Sequence, residues 1–302
     1  MSLVYVGVDT GNGNTKCDTG FVIQSGVKQL VSKPAIEKCV LTWNDRYYVV
    51  NTAKMEIQKS KMSNNDILVS TMAAIADKFK TLGMTSGEIR LGVGLPLTLI
   101  GREKKDFQEY FMRNQRLTYR YEGVNYSVYI LSVDVFPQGY AAVVNKLNTF
   151  ETSTIVIDVG SWTIDILPIV EGQPDVSRCK SLSLGTFTAI SEINENLRQK
   201  FGEEAEEAII KDVMINGSSN IDGSYLAVIQ DGLYEYVDNI MNNLATLKFN
   251  TALNKFIFMG GGATVVKNFS KDLGPNITII EDICINAKGY EDILKHKYEA
   301  VR

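Results

Sequence analysis

The reading turns on residues 5–16, "YVGVDTGNGNTK". Apolar and β-branched residues that suit a buried strand run into Asp9, and a turn built from Gly11, Asn12, Gly13 and Asn14 follows, closed by Thr15 and Lys16. Glycines let a backbone approach a ligand closely. Clustered backbone N–H groups in such a turn form a concave anion site. Asn14 and Thr15 add side-chain donors, and Lys16 adds a point charge suited to phosphate. The stretch is not a P-loop, because no G-x-x-x-x-G-K-[ST] pattern is present. Nor is it a dinucleotide fingerprint: Lys16 stands where a third glycine belongs.

A second stretch matches the first. Residues 153–165, "STIVIDVGSWTID", align with 4–16 so that Asp158 falls on Asp9 and Gly160 on Gly11. The offset, 158 − 9 = 149, is about half of the 302-residue chain. A length of 302 residues suits two domains. Two related halves would set two Asp-bearing turns on opposite sides of a cleft. Two carboxylates repel a bare phosphate, but they make sense around a Mg²⁺ held through its waters. The pair therefore reads as a clamp for a magnesium nucleotide.

The bulk properties narrow the class further. Mean hydropathy is −0.04 and net charge −4, so neither a bilayer span nor non-specific grip on nucleic acid is expected. The N-terminus lacks the basic start and long apolar core of a signal peptide. A reduced, cytoplasmic protein is expected from four cysteines without a C-x-x-C pair. The single histidine, His296, makes a His-based triad or metal site improbable. Any catalysis falls to carboxylates, amides and lysines.

Strands are expected at 3–9, 21–31, 46–50, 89–97, 153–160, 163–170, 255–259 and 277–282. Helices are expected at 66–82 with Asp66 as N-cap, at 102–114, 137–147, 188–201, over most of 203–245, and over the last twenty residues. A hairpin should turn at Glu122-Gly123, and "EGQP" (171–174) should turn another. Strands alternating with helices argue for an α/β fold.

Five stretches in this order resemble the actin, sugar kinase and heat-shock chaperone superfamily. They are 6–16; "VDVFPQGYAAVV" (133–144); "IVIDVGSWTIDI" (155–166); "FIFMGGGATVV" (256–266); and "INAKGYEDIL" (285–294). "LGVGLPLTLIGREKKDF" (91–107) and the compact length bring the chain nearest to the ParM/StbA group of prokaryotic actin-like proteins. The resemblance implies an actin-like fold of two related α/β domains with ribonuclease H-like cores around a nucleotide cleft. Domain I would hold 1–146 plus 283–302, and domain II 147–282. Segments 32–65 and 203–245 would form smaller outer subdomains where subunits meet.

The resemblance also implies roles. Asp9 would hold Mg²⁺ through water, and Asp158 would hold the metal or the attacking water from the other side. Thr10 to Lys16 and Gly160, Ser161, Trp162 and Thr163 would wrap the phosphates of ATP or ADP. Gly260, Gly261 and Gly262 would pass the ribose and adenine, and Gly185 would precede the helix on the purine side. Gln138 would position the hydrolytic water, with Asp134 as the other candidate. Trp162 would either cover the phosphate loop or pack on a neighbouring strand. The implied function is slow ATP hydrolysis driving head-to-tail filaments that segregate plasmid DNA through a DNA-binding adaptor. No direct DNA or membrane contact is expected. The alternatives are a sugar-type kinase with Asp134 as base, or an ATP-binding regulator that does not polymerise.

Overall fold

The computed structural model describes residues 2–52, 62, 64–149 and 153–299. Part of the segment 32–65, namely 53–61 and 63, and the end of the last expected helix, 300–302, lie outside the described residues. The path runs β1 (Leu3–Thr10), β2 (Asn14–Cys17), β3 (Val22–Gln24), β4 (Gly26–Leu30), β5 (Val40–Trp43), β6 (Arg46–Thr52), α1 (Asp66–Thr81), β7 (Ser86–Leu95), α2 (Leu97–Met112), β8 (Arg116–Tyr121), β9 (Val124–Pro137) and α3 (Tyr140–Val143). It continues through β10 (Thr154–Val159), β11 (Ile164–Val170), β12 (Gln173–Pro174), β13 (Lys180–Leu182), α4 (Thr186–Phe201), α5 (Glu207–Asn216), α6 (Gly223–Thr246), β14 (Lys255–Met259), α7 (Ala263–Phe269), β15 (Ile277–Ile279) and α8 (Ile285–Glu299). The chain divides into two compact units, Met1–Asn145 with Cys284–Arg302, and Lys146–Ile283.

In the first unit nine strands pair in the order β3-β2-β1-β7-β9-β8-β5-β6-β4. Only Ser25 separates β3 from β4, so the two ends of that path meet in the chain. α1 packs against β1, β2, β4 and β6. Ten consecutive residues of α1, Ile67 to Ala76, are buried. A helix that is apolar all round belongs inside a core rather than on a surface. α8 crosses β1 and β7 at glycines: a Cβ on Gly7 would lie 1.9 Å from the Ala287 carbonyl oxygen. α8 also meets α3 closely, where a Cβ on Gly289 would lie 2.1 Å from the Ala141 carbonyl oxygen.

The second unit repeats the central order. β12-β11-β10-β14-β15 matches β3-β2-β1-β7-β9: an antiparallel hairpin, then two strands parallel to its first arm. The registers match too. Asp9 pairs with Lys16 and Asp158 with Asp165, each across a seven-residue interval. The expected pair of related α/β cores is present.

Several boundaries differ from expectation. Strand 21–31 breaks at Ser25, whose hydroxyl donates to the Gly11 carbonyl at 2.6 Å. Asp66 is the first helical residue rather than the cap, and its N–H donates to Asn64 Oδ1 at 3.0 Å. The helix expected at 102–114 begins five residues earlier, directly after Pro96, a residue that suits a helix start. The helix expected at 137–147 starts only at Tyr140, behind Gly139 with φ +76°; it is α-helical over α3 and continues as 3-10 helix to Thr149. Only 277–279 of the expected strand 277–282 pairs. α5 and α6 share one core with β10, β11 and β14, and β5 and β6 share the first unit's core. The described parts of 32–65 and 203–245 therefore have no separate cores. Both expected hairpin turns form, at Glu122-Gly123 and Glu171-Gly172, with positive φ at all four residues as two-residue hairpins require. Among the described residues no helix is long and apolar enough to cross a membrane.

Candidate functional site

Asp9 ends the apolar run of β1 and is itself 3% exposed. A carboxylate buried there needs partners, and two predicted residues supply them. Gln138 Nε2 donates to Asp9 Oδ1 at 2.7 Å. Lys16 Nζ lies 3.9 Å from Asp9 Oδ2 across the β1–β2 pair. That separation leaves the ammonium near the carboxylate but not locked to it. The turn between them is braced from outside: Ser25 N–H donates to Gly13 O, and its hydroxyl shares a hydrogen bond with Thr15. Thr10 and Thr15 are buried in the hairpin, whereas Asn12 is exposed at its tip.

Gln138 is itself held. Its N–H donates to Leu95 O, and the next N–H, of Gly139, donates to Asn286 Oδ1 at 2.9 Å. Asn286 is 3% exposed on α8. Tyr290, one turn later, reaches the same place. A Cβ on Gly94 would stand 1.9 Å from its hydroxyl and 3.0 Å from Gln138 Cγ. Sequence reasoning missed Asn286, Tyr290 and Gly94. All three lie within quoted stretches, but only the crossing of α8 over β7 reveals their part.

Asp134 is placed differently. The β1–β7–β9 register puts it level with Gly92 and Gly7, two residues before the level of Asp9. Its carboxylate takes Lys297 Nζ and the Tyr298 hydroxyl from α8. That bond holds the Lys297 ammonium above its ordinary pKa. No described contact joins Asp134 to Asp9, Lys16 or Gln138.

In the second unit Gly160 to Thr163 form a tight turn, with Gly160 N–H donating to Thr163 O. Its carbonyls cap α4: Gly185, Thr186 and Phe187 donate to Trp162, Gly160 and Ser161 respectively. These bonds satisfy the orphan N–H groups of the helix start without a capping side chain. Gly185 permits the contact, since a Cβ there would lie 2.4 Å from the Ser161 and Trp162 backbone. Trp162 packs on Phe187 of α4 with ring centroids 4.6 Å apart, and its Nε1 is buried without a hydrogen-bond partner among the described residues. Thr163 Oγ1 donates to Asp165 Oδ2 at 3.4 Å.

The three glycines after β14 divide by role. A Cβ on Gly260 would meet Asp158 Oδ1 at 2.2 Å, and one on Gly262 would meet Val159 Cγ1 at 2.4 Å. Both are packing positions. Gly261 faces open space, with nothing within 4 Å.

Among the described residues no group of three or more His, Cys, Asp or Glu could hold a metal ion. A Mg²⁺ at Asp9 or Asp158 would take most of its ligands from water and phosphate oxygens. That suits its habit of keeping several waters.

Comparison with known proteins bears on the whole chain. Residues 7–140 match the family model of the actin-like proteins' N-terminal domain. Residues 156–272 match that of the archaeal actin homologue MreB-like C-terminal domain. No curated protein matches in sequence. Among solved structures, the archaeal actin homologue Ta0583 superposes with TM-score 0.81 at 21% identity, over 97% of this chain and 99% of that one. ParM of Bacillus thuringiensis with ATP superposes at 0.74 and 16% identity over all of both chains. The Alp12 filament subunit does so at 0.72 and 15% identity, over 99% of this chain and 100% of that one.

Proposed function

Because this chain belongs to the actin-like proteins, matching their N-terminal and C-terminal domain models in succession, we propose that it is a ParM-like ATPase. It binds Mg-ATP through both of its Asp-bearing hairpins and assembles into nucleotide-dependent filaments. The cargo in this reading is DNA, most simply a plasmid, reached through an adaptor, since net charge −4 gives the chain no grip on DNA of its own.

The observation that carries the reading is the Asp9–Gln138–Lys16 cluster on one of two hairpins of identical register. Mg²⁺, when bound, offsets phosphate charge and orients the phosphates. Lys16 adds a second positive charge beside the turn. With Gln138 Nε2 committed to Asp9, its amide oxygen is left to accept a hydrogen bond from water. An amide orients water but is a poor base, which suits slow hydrolysis. Asp134 is engaged by Lys297 and Tyr298, which argues against the sugar-kinase role for it.

The test is light scattering and pelleting with Mg-ATP, Mg-ADP or no nucleotide. Scattering should rise with Mg-ATP and later decay. Absence of assembly at every protein concentration, with phosphate release stimulated by a hydroxyl acceptor, would overturn the filament reading in favour of a kinase. Nucleotide binding without either outcome would leave a non-polymerising regulator.

A further inference from the structure

The first unit holds a second concavity, of about 530 Å³, that shares no lining residue with the Asp9 cluster. Its volume falls in the range of small-molecule sites. Ile23, Ala76, Tyr121 and Tyr126 form its buried floor, and half-buried Asp77 stands in its wall.

Three observations define what it would take. Tyr121 and Tyr126 are only 7% and 4% exposed; no described residue bonds either hydroxyl, and neither oxygen is fully enclosed. Their neighbour Tyr119 stacks on Tyr126 and donates to Met72 O at 2.8 Å. Buried phenols ordinarily find such a partner. Tyr121 and Tyr126 instead line the cavity with their hydroxyls open, where a ligand can bond them. Next, Asp77 spends one oxygen on the Thr19 hydroxyl at 2.7 Å. Asp77 and Glu122 both line the cavity with the two tyrosines, Glu122 accepting from Cys39 N–H at 2.9 Å; after burial, their charges help to hold the phenols of Tyr121 and Tyr126 above their ordinary pKa. Finally, the one cation among the described lining residues, Lys80, is exposed at the rim, where water screens it.

We propose that this cavity binds a small organic cation, an ammonium or guanidinium on an aromatic or aliphatic stem. The stem lies against Tyr121 and Tyr126, and the charge reaches Asp77. Aromatic faces beside a carboxylate favour such a cation.

The experiment titrates the full chain, without nucleotide, with phenethylamine and with phenylacetate, its analogue of opposite charge, by calorimetry and ligand-observed NMR. Phenethylamine should bind, and phenylacetate should bind at least about tenfold more weakly, the worth of one charge-assisted contact. Asp77→Asn still accepts from Thr19 and should weaken phenethylamine by about tenfold. Val124→Arg, at the exposed mouth, should abolish binding without touching the core. Circular dichroism and thermal unfolding check that both variants fold. No phenethylamine binding at millimolar concentration, equal binding of both probes, or undiminished binding in the two variants overturns the proposal. Binding is read without nucleotide, so either result leaves the ATPase reading standing or falling on its own test.

Discussion

At the scale of single residues, chemically identical positions have different surroundings. Gly260 and Gly262 are glycine because protein atoms crowd them, whereas Gly261 meets open space. Gly261→Val should therefore leave the melting temperature unchanged while weakening ATP about tenfold or more, if the nucleotide passes there as proposed. Gly260→Ala should instead destabilise by roughly 1–3 kcal/mol, through its positive φ and the clash with Asp158. Isothermal titration and thermal unfolding of the pair separate the two roles. Gln138→Ala removes the amide and should slow phosphate release roughly 100-fold with ATP affinity little changed. Equal rates in single-turnover assays would remove Gln138 from the chemistry.

At the scale of elements, α8 holds the site from behind. Asn286→Ala would orphan the Gly139 N–H and should cost about 1–3 kcal/mol, loosening the Gln138 turn as well. Deeper in the same unit, Lys78 of α1 binds Asp18 at 2.8 Å and Glu291 of α8 at 2.9 Å, and Asp18 accepts from Gly7 N–H at 2.6 Å. Burial pushes the Asp18 carboxyl up, so its ionisation works against the fold and Lys78 offsets it. Glu291, despite partial burial, is held below its ordinary value by bonds from Lys295 and Lys78. Lys78 itself is held above its ordinary value: burial lowers it, but Asp18 and Glu291 prevail. A raised ammonium contributes stability that is complete below its unfolded pKa, about 10.4. That contribution is lost as pH rises through the folded value. Lys78→Met should cost roughly 3 kcal/mol at neutral pH. Its deficit relative to the natural chain should shrink above pH ~10.4, as followed by denaturant unfolding.

At the scale of the whole molecule, the proposed nucleotide binding would be a stability event. A ligand that binds only the folded chain adds about 2.7 kcal/mol at one hundred times its dissociation constant. That corresponds to roughly 5–11 °C for units of this size. Mg-ATP should raise the melting temperature by that order, and EDTA should remove most of the gain. No shift with Mg-ATP would count against the nucleotide reading at its root.

The two D-x-G turns, the half-chain offset and the type of most elements were legible in the sequence. Turn and element type are local properties: a strand's apolar run, and a glycine where a Cβ would crowd a turn carbonyl, as at Gly11 and Gly160; the offset is a comparison of two such local patterns. Gln138 was legible only through resemblance, because nothing in "PQGYAA" (137–142) points an amide at Asp9. The break of strand 21–31 at Ser25 escaped because its cause is a hydrogen bond to a carbonyl fourteen residues earlier. α1 looked like any helix, and only the sheet around it made all of its faces interior. Asn286, Tyr290 and the occupation of Asp134 were decided by where α8 lands on β1, β7 and β9. The sequence by itself determined the repeated hairpins, since backbone geometry and residue type act over a few positions. Tertiary structure alone decided which side chains meet, since contacts across 129 or more residues depend on packing that no local pattern encodes.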